Sequence, residues 1–66
     1  MRKDYWFIRN TYTKSGKLLV LWQIGNYKYQ IDEKKEQCTP ITTIDGSLED
    51  ATEVLYSLAA LDAVAA

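Results

Sequence analysis

Three runs rich in aromatic and β-branched residues dominate the first half of this chain and limit what it can fold into. They cover residues 5–12, 17–24 and 27–31, and none contains glycine or proline. Runs of this kind favour β-strands. The breaks between them are Lys14-Ser15-Gly16 and Gly25-Asn26. Short loops that contain glycine typically join antiparallel strands, so we predict a three-stranded meander.

The second half predicts a loop and one helix. Residues 32–40 are polar and form the predicted loop, and residues 41–44 add a fourth, short edge strand if they pair with the sheet. Ser47 has the side chain of an N-cap, and Glu49 and Asp50 suit a helix start. The helix is predicted from about residue 48 to about residue 64. Its apolar stripe comprises Ala51, Val54, Leu55, Leu58, Leu61 and Ala65.

These elements predict an α+β fold in one small domain spanning residues 1–66. The architecture is an antiparallel meander of three strands, or four with residues 41–44, and one C-terminal helix packed on one face. A chain of 66 residues has room for a single core.

The loop lengths predict which side chains share a face of the sheet. A two-residue loop at Gly25-Asn26 pairs Trp22 with Tyr29, and a three-residue loop at residues 14–16 pairs Tyr12 with Leu18. We expect the helix to cover Trp6, Ile8, Tyr12, Leu18, Val20, Trp22, Ile24, Tyr27, Tyr29 and Ile31. The opposite face carries Tyr5, Phe7, Arg9, Thr11, Leu19, Leu21, Gln23, Lys28 and Gln30.

That opposite face is the predicted protein-binding surface, because one helix covers only one side of the sheet. Exposed apolar side chains clustered beside an arginine are typical of interfaces. The predicted protein-binding residues are Tyr5, Phe7, Arg9, Leu19, Leu21, Gln23 and Lys28. Apolar contact comes from Phe7, Leu19 and Leu21, and the cations orient the partner.

The charge distribution suggests two alternative surfaces. Residues 1–30 carry six cationic and one anionic side chain, whereas residues 31–66 carry two cationic and eight anionic ones. An acidic surface of Asp45, Glu49, Asp50 and Glu53 would bind a basic partner. A basic, aromatic surface of Arg9, Lys14, Lys17 and Lys28 would bind nucleic acid through phosphate contacts and base stacking.

Catalytic and metal-binding chemistry has little support in the sequence. The chain has no histidine and one cysteine, Cys38. These counts exclude serine or cysteine nucleophiles paired with histidine, and zinc sites built from cysteines. Gly16, Gly25 and Gly46 are isolated and form no phosphate-binding loop. We expect a protein that is not an enzyme and has no cofactor and no metal site.

The expected location is the cytoplasm, without a membrane association. The longest apolar run, residues 18–22, is too short to cross a bilayer, and a lone thiol suits a reducing compartment. We expect an inhibitor or adaptor that docks on a larger protein or protein complex, of the kind that phages and mobile elements encode. A homodimer through the alanine-rich helix tail or the outer sheet face is a further expectation.

Overall fold

The computed structural model describes residues 4–61 as a four-stranded antiparallel sheet and one helix. The elements are β1 (Trp6–Tyr12), β2 (Leu18–Gly25), β3 (Lys28–Lys34), β4 (Cys38–Asp45) and α1 (Leu48–Leu61). The sheet order β1-β2-β3-β4 follows the chain, so β1 and β4 are the edges. This confirms the predicted α+β fold, and of the two strand counts that the sequence left open the structure has four.

Helix α1 begins at the predicted cap. The Asp50 backbone N–H donates a hydrogen bond to Ser47 Oγ at 3.2 Å, and the Ser47 N–H donates one to Asp50 Oδ2 at 3.2 Å. The two bonds satisfy N–H groups that lack a partner inside the helix. The predicted helix end near residue 64 lies outside the described residues. Within residues 4–61, no helix has the length and apolar character needed to cross a membrane.

The core lies between α1 and one face of the sheet. Its buried members are Leu19, Leu21, Tyr29, Ile31, Ala51, Leu55 and Ala59. Partly buried side chains around it are Ile8, Ile41, Ile44, Val54 and Leu58. Leu61, which the helical stripe placed in the core, is instead exposed, and Ala65 lies outside the described residues.

Strand β2 presents the opposite face to the helix from the one predicted. The β2–β3 loop is Asn26-Tyr27 rather than Gly25-Asn26, because Gly25 pairs with Lys28. This loop alone would pair Trp22 with Ile31 and leave its face unchanged, but the register shifts by one residue between Gln23 and Gly25, so Trp22 pairs with Gln30 instead of Tyr29. A change of one residue in register moves every side chain of a strand to the other face.

The reversed orientation of β2 removes two residues from the predicted binding surface. Leu19 and Leu21 are fully buried beneath α1, so the prediction that they face a partner is wrong. The helix presents the small side chains of Ala51 and Ala59 to the core. The larger side chains of Leu19 and Leu21 fill the space between the helix and the sheet. Trp22 lies on the face that the helix leaves uncovered.

Strand β1 follows the predicted register up to a bulge. Tyr12 pairs with Leu18 and Asn10 with Val20, as expected, and Gly16 has the predicted positive φ of 89°. The register then shifts between Phe7 and Arg9, so that Phe7, not Ile8, is the partner of Trp22. Because a bulge inserts one extra residue, Ile8 packs on the core while Phe7 stays beside Trp22 on the far face.

The predicted loop at residues 32–40 is mostly strand. β3 continues to Lys34 and β4 begins at Cys38, so that residues 35–37 form the turn. Asp32 and Glu33 are buried despite the poor strand propensity of acidic residues. Pairing with neighbours on both sides outweighs that propensity in a central strand. Pro40 lies in the edge strand β4, where proline is tolerated.

Candidate functional site

The sheet face away from α1 carries three aromatic rings in contact, which we call the aromatic patch: Tyr5, Phe7 and Trp22. The Phe7 and Trp22 rings meet edge to face, with centroids 6.1 Å apart and an interplanar angle of 80°. The Tyr5 ring is tilted by 58° against Trp22 at 6.2 Å. Phe7 is 55% exposed, so the patch offers an apolar ring to the solvent in a constrained orientation.

A chain of hydrogen bonds runs from the aromatic patch along the sheet. Tyr5 OH donates to Gln30 Oε1 at 3.2 Å, and Gln30 Nε2 donates to Asp32 Oδ1 at 2.7 Å. Gln30 and Asp32 are both buried, and Gln30 is the cross-strand partner of Trp22. A hydrogen bond to a carboxylate is short and strong, so Gln30 is held firmly and in turn orients the Tyr5 ring.

Trp22 is held by packing and by its ring contacts. Its indole Nε1 is buried and has no hydrogen-bond partner among the described residues. Trp22 contacts the ring of Phe7 on one neighbouring strand and lies opposite Gln30 on the other. It therefore connects the edge strand β1 to the buried polar chain on β3.

The structure places only two of the seven predicted protein-binding residues in the aromatic patch, Tyr5 and Phe7. Arg9 is exposed on β1, where its cross-strand partner is the buried Leu21. This register assigns Arg9 to the helix side of the sheet, although it remains accessible at the edge. It therefore lies outside the aromatic patch, on the other face of the edge strand.

The two remaining predicted residues lie near the β2–β3 turn. Gln23 is half-buried, and its Nε2 donates to the Gly25 carbonyl at 3.3 Å. Lys28 is exposed and pairs in register with Asp45 of β4. The predicted set is thus divided among the core, the patch and the turn end of the sheet.

The sequence did not assign Trp22, or the buried Asp32, to this face of the sheet. A signal was present in β3, where the alternating residues Lys28, Gln30 and Asp32 are all polar. Such alternation marks a face turned away from the core. Placing Trp22 on that polar face required the register shift between Gln23 and Gly25.

The basic side chains are divided between the two ends of the sheet. Lys14 and Lys17 belong to the β1–β2 connection, and Lys34 lies at the same end because it pairs with Leu18. Lys35 follows in the adjacent turn and lies 3.7 Å from Glu33. Lys28 is at the opposite end. The predicted nucleic-acid set of Arg9, Lys14, Lys17 and Lys28 therefore does not form a single cluster.

The acidic residues predicted as an alternative surface lie at the other end of the sheet. Asp45 ends β4, and Glu49, Asp50 and Glu53 follow in the exposed part of α1. Asp50 is already engaged in the helix cap. A shallow, open groove of about 380 Å³ also lies at this end, lined by Asp4, Trp6, Gln23, Ile24, Gly25 and Asn26.

The described residues form no cluster with the composition of a metal site. In residues 4–61, no group of three or more His, Cys, Asp or Glu side chains is placed to hold a metal ion. The chain matches no protein-family model, no curated protein and no solved structure. The chemistry of its own side chains therefore supplies the evidence for function.

Proposed function

We propose that this protein is a non-enzymatic interaction module that docks on a larger protein through the aromatic patch. The observation that carries the proposal is the exposure of Phe7 in a cluster whose other rings are fixed by packing and hydrogen bonds. Aromatic residues with few free rotamers dominate the energetics of protein interfaces. A ring oriented before binding loses little side-chain entropy when the partner covers it.

Such a module acts by occupying a surface of its partner, as an inhibitor or an adaptor in the cytoplasm. Phe7 supplies the apolar anchor, and Tyr5 and Trp22 supply the surrounding contact area. Arg9 is exposed on the same edge strand but on the helix side of the sheet, and it supplies a cation to a partner that reaches around this edge. Charged groups at a rim increase association rates and select the partner, while the centre provides affinity.

The test compares capture of a partner by three tagged proteins in nuclease-treated lysate. These are the wild type, Phe7→Ser and Tyr12→Ser. Tyr12 is a matched control, because it is 67% exposed on the same face and strand but outside the patch. We expect the wild type and Tyr12→Ser to retain one partner that Phe7→Ser loses.

The captured partner is then purified and titrated against each protein. We expect Phe7→Ser to weaken binding at least about tenfold, which corresponds to about 1.4 kcal/mol. Circular dichroism confirms that the variant remains folded. Equal affinities for the wild type and Phe7→Ser would refute the role of the patch.

A second candidate function is binding of single-stranded nucleic acid. It is favoured by two exposed rings, Phe7 and Tyr12, on a sheet face that also carries Lys34, with Lys14 and Lys17 at the same end. Bases stack on aromatic rings while lysines contact the phosphates. This function predicts that a labelled oligonucleotide binds with an affinity that falls steeply with salt and is lost in Lys14→Glu/Lys17→Glu.

A further inference from the structure

The two edges of the sheet differ in how they meet the solvent. Both edge strands have a register shift, but β4 also carries Pro40, and its exposed side chains are small or polar. A proline at an edge hinders pairing with another strand, because it has no backbone N–H to donate. β1 has no proline or glycine, and its exposed side chains include Trp6 at 70% and Tyr12 at 67%.

Among residues 4–61, β1 pairs with β2 alone, so its outer backbone groups are not used within the sheet. An exposed, largely apolar edge strand is a template for pairing with another strand. The helix does not prevent such pairing at the β1 edge, because α1 packs across the face of the sheet that contains Leu19 and Leu21.

We propose that two copies of the chain associate edge to edge through antiparallel pairing of their β1 strands. Every copy has the same unprotected edge, and a twofold arrangement covers both edges at once. The product is a continuous eight-stranded sheet whose outer edges are the two β4 strands, each protected by Pro40. The assembly is closed, because no unprotected edge is left to recruit a third copy.

The charges on β1 select the register of this pairing. Arg9 is the single charged residue of the strand and also its midpoint. A dyad at Arg9 would place two guanidinium groups opposite each other, which is unfavourable. A dyad at Asn10 places Arg9 opposite Thr11 of the second copy, so like charges no longer face each other. The net charge of −1 adds little repulsion between the copies.

The accessible area at this edge indicates a weak dimer. Aromatic side chains bury about 150–250 Å² each, so the exposed parts of Trp6 and Tyr12 together offer roughly 270 Å² per chain. Backbone pairing adds to this area, but the total stays below the roughly 800 Å² per partner of a standard interface. We therefore expect a dissociation constant in the micromolar range, on the order of 10⁻⁵ M.

The pairing has a consequence for the uncovered face of the sheet. A twofold axis perpendicular to the sheet keeps both helices on one side and both aromatic patches on the other. The dimer would then present two patches to the same partner or assembly. Two linked sites bind a repeated target far more tightly than one site does.

Sedimentation velocity from about 1 to about 200 μM tests the pairing, because this range brackets the expected dissociation constant. We expect the mass to rise from 7.6 kDa to twice that value as the concentration increases. Asn10→Lys places a lysine at the dyad and next to Arg9, and should remain a monomer. The matched control is Thr43→Lys, an exposed position on the other edge strand, which should associate like the wild type.

A charge-swap experiment identifies the contact. An equimolar mixture of Asn10→Lys and Asn10→Glu should recover association, since opposite charges then meet at the dyad. Circular dichroism verifies that all variants are folded. A wild type that stays monomeric over the whole range overturns the proposal, as does undiminished association of Asn10→Lys. Loss of association in Phe7→Ser with Asn10→Lys unaffected would place the contact on the aromatic patch and also overturn it.

Discussion

Phe7 and Trp22 lie directly opposite each other on β1 and β2, and their rings meet edge to face at 6.1 Å. This contact links the edge strand to the interior of the sheet on the side that α1 does not cover. The bulge at Ile8 makes the contact possible, because it allows β1 to send one apolar side chain to each face. The interaction therefore contributes both to the fold and to the proposed binding surface.

We expect Phe7 and Trp22 to be energetically coupled. Edge-to-face aromatic pairs contribute about 0.5–1.5 kcal/mol beyond the area that they bury. Urea unfolding of Phe7→Leu, Trp22→Leu and the double variant measures this coupling as a double-mutant cycle. Strictly additive changes in the free energy of unfolding would mean that the two rings do not interact.

Gln30→Leu should destabilise the fold more than Gln23→Leu. Gln30 donates to the buried Asp32 carboxylate at 2.7 Å, whereas Gln23 is only half-buried and bonds a backbone carbonyl at 3.3 Å. Leaving a buried carboxylate short of a donor costs about 1–3 kcal/mol. Thermal unfolding of the two variants compares them, and equal melting temperatures would contradict the role of Gln30.

Leu21→Ala should cost about 2–5 kcal/mol of unfolding free energy, because Leu21 is fully buried beneath α1. Domains of this size seldom exceed about 3–5 kcal/mol of stability, so the variant should be largely unfolded. Leu61→Ala is the control, since Leu61 is exposed and should lose little. A folded Leu21→Ala protein with reduced partner binding would instead support an exposed Leu21.

Tyr27→Gly should stabilise the protein. Tyr27 has a φ of 56° in the β2–β3 turn and is 72% exposed, so its ring contributes little packing. The left-handed conformation costs a residue with a Cβ about 1–2 kcal/mol, and the greater freedom of glycine when unfolded offsets part of this. We expect a rise of about 4 °C in melting temperature. Tyr27→Ala keeps the Cβ and should show no such rise.

Ser47→Ala should remove about 1 kcal/mol of stability, because Ser47 Oγ caps the first turn of α1. Ser57→Ala serves as the comparison, because Ser57 is exposed on the same helix away from its start. Chemical denaturation measures the free energy of unfolding of both variants. If both substitutions have the same small effect, the cap contributes nothing to the stability of α1.

Much of this fold follows from local sequence patterns. Gly16 and the helix cap at Ser47 are encoded by residues a few positions apart, so the first hairpin and the start of α1 are predictable. The orientation of β2 is different, because residues 18–21 are apolar on both faces and their alternation selects neither. The one-residue register shift between Gln23 and Gly25 decides it. The burial of Asp32 likewise depends on neighbouring strands and not on its own strand propensity.

The candidate site was predictable to the same limited extent. Tyr5 and Phe7 were assigned to the uncovered face because β1 alternates there, and the structure places both on the aromatic patch. Trp22 was assigned to the core because the register error in β2 reverses its side. The bulge at Ile8 left no mark in the composition of β1, so the pairing of Phe7 with Trp22 could be found only from coordinates.

The chain-ordered sheet also has a consequence for how the protein is made. Each strand meets its neighbour as soon as that neighbour leaves the ribosome, and such local pairing is rapid. The helix that covers Leu19, Leu21 and Ile31 is nevertheless the last described element to be synthesised. Until translation has passed Ala59, the apolar face of the nascent sheet remains open to chaperones and to other nascent chains. Slowing translation over residues 46–61 should therefore lower the soluble yield without altering the finished fold.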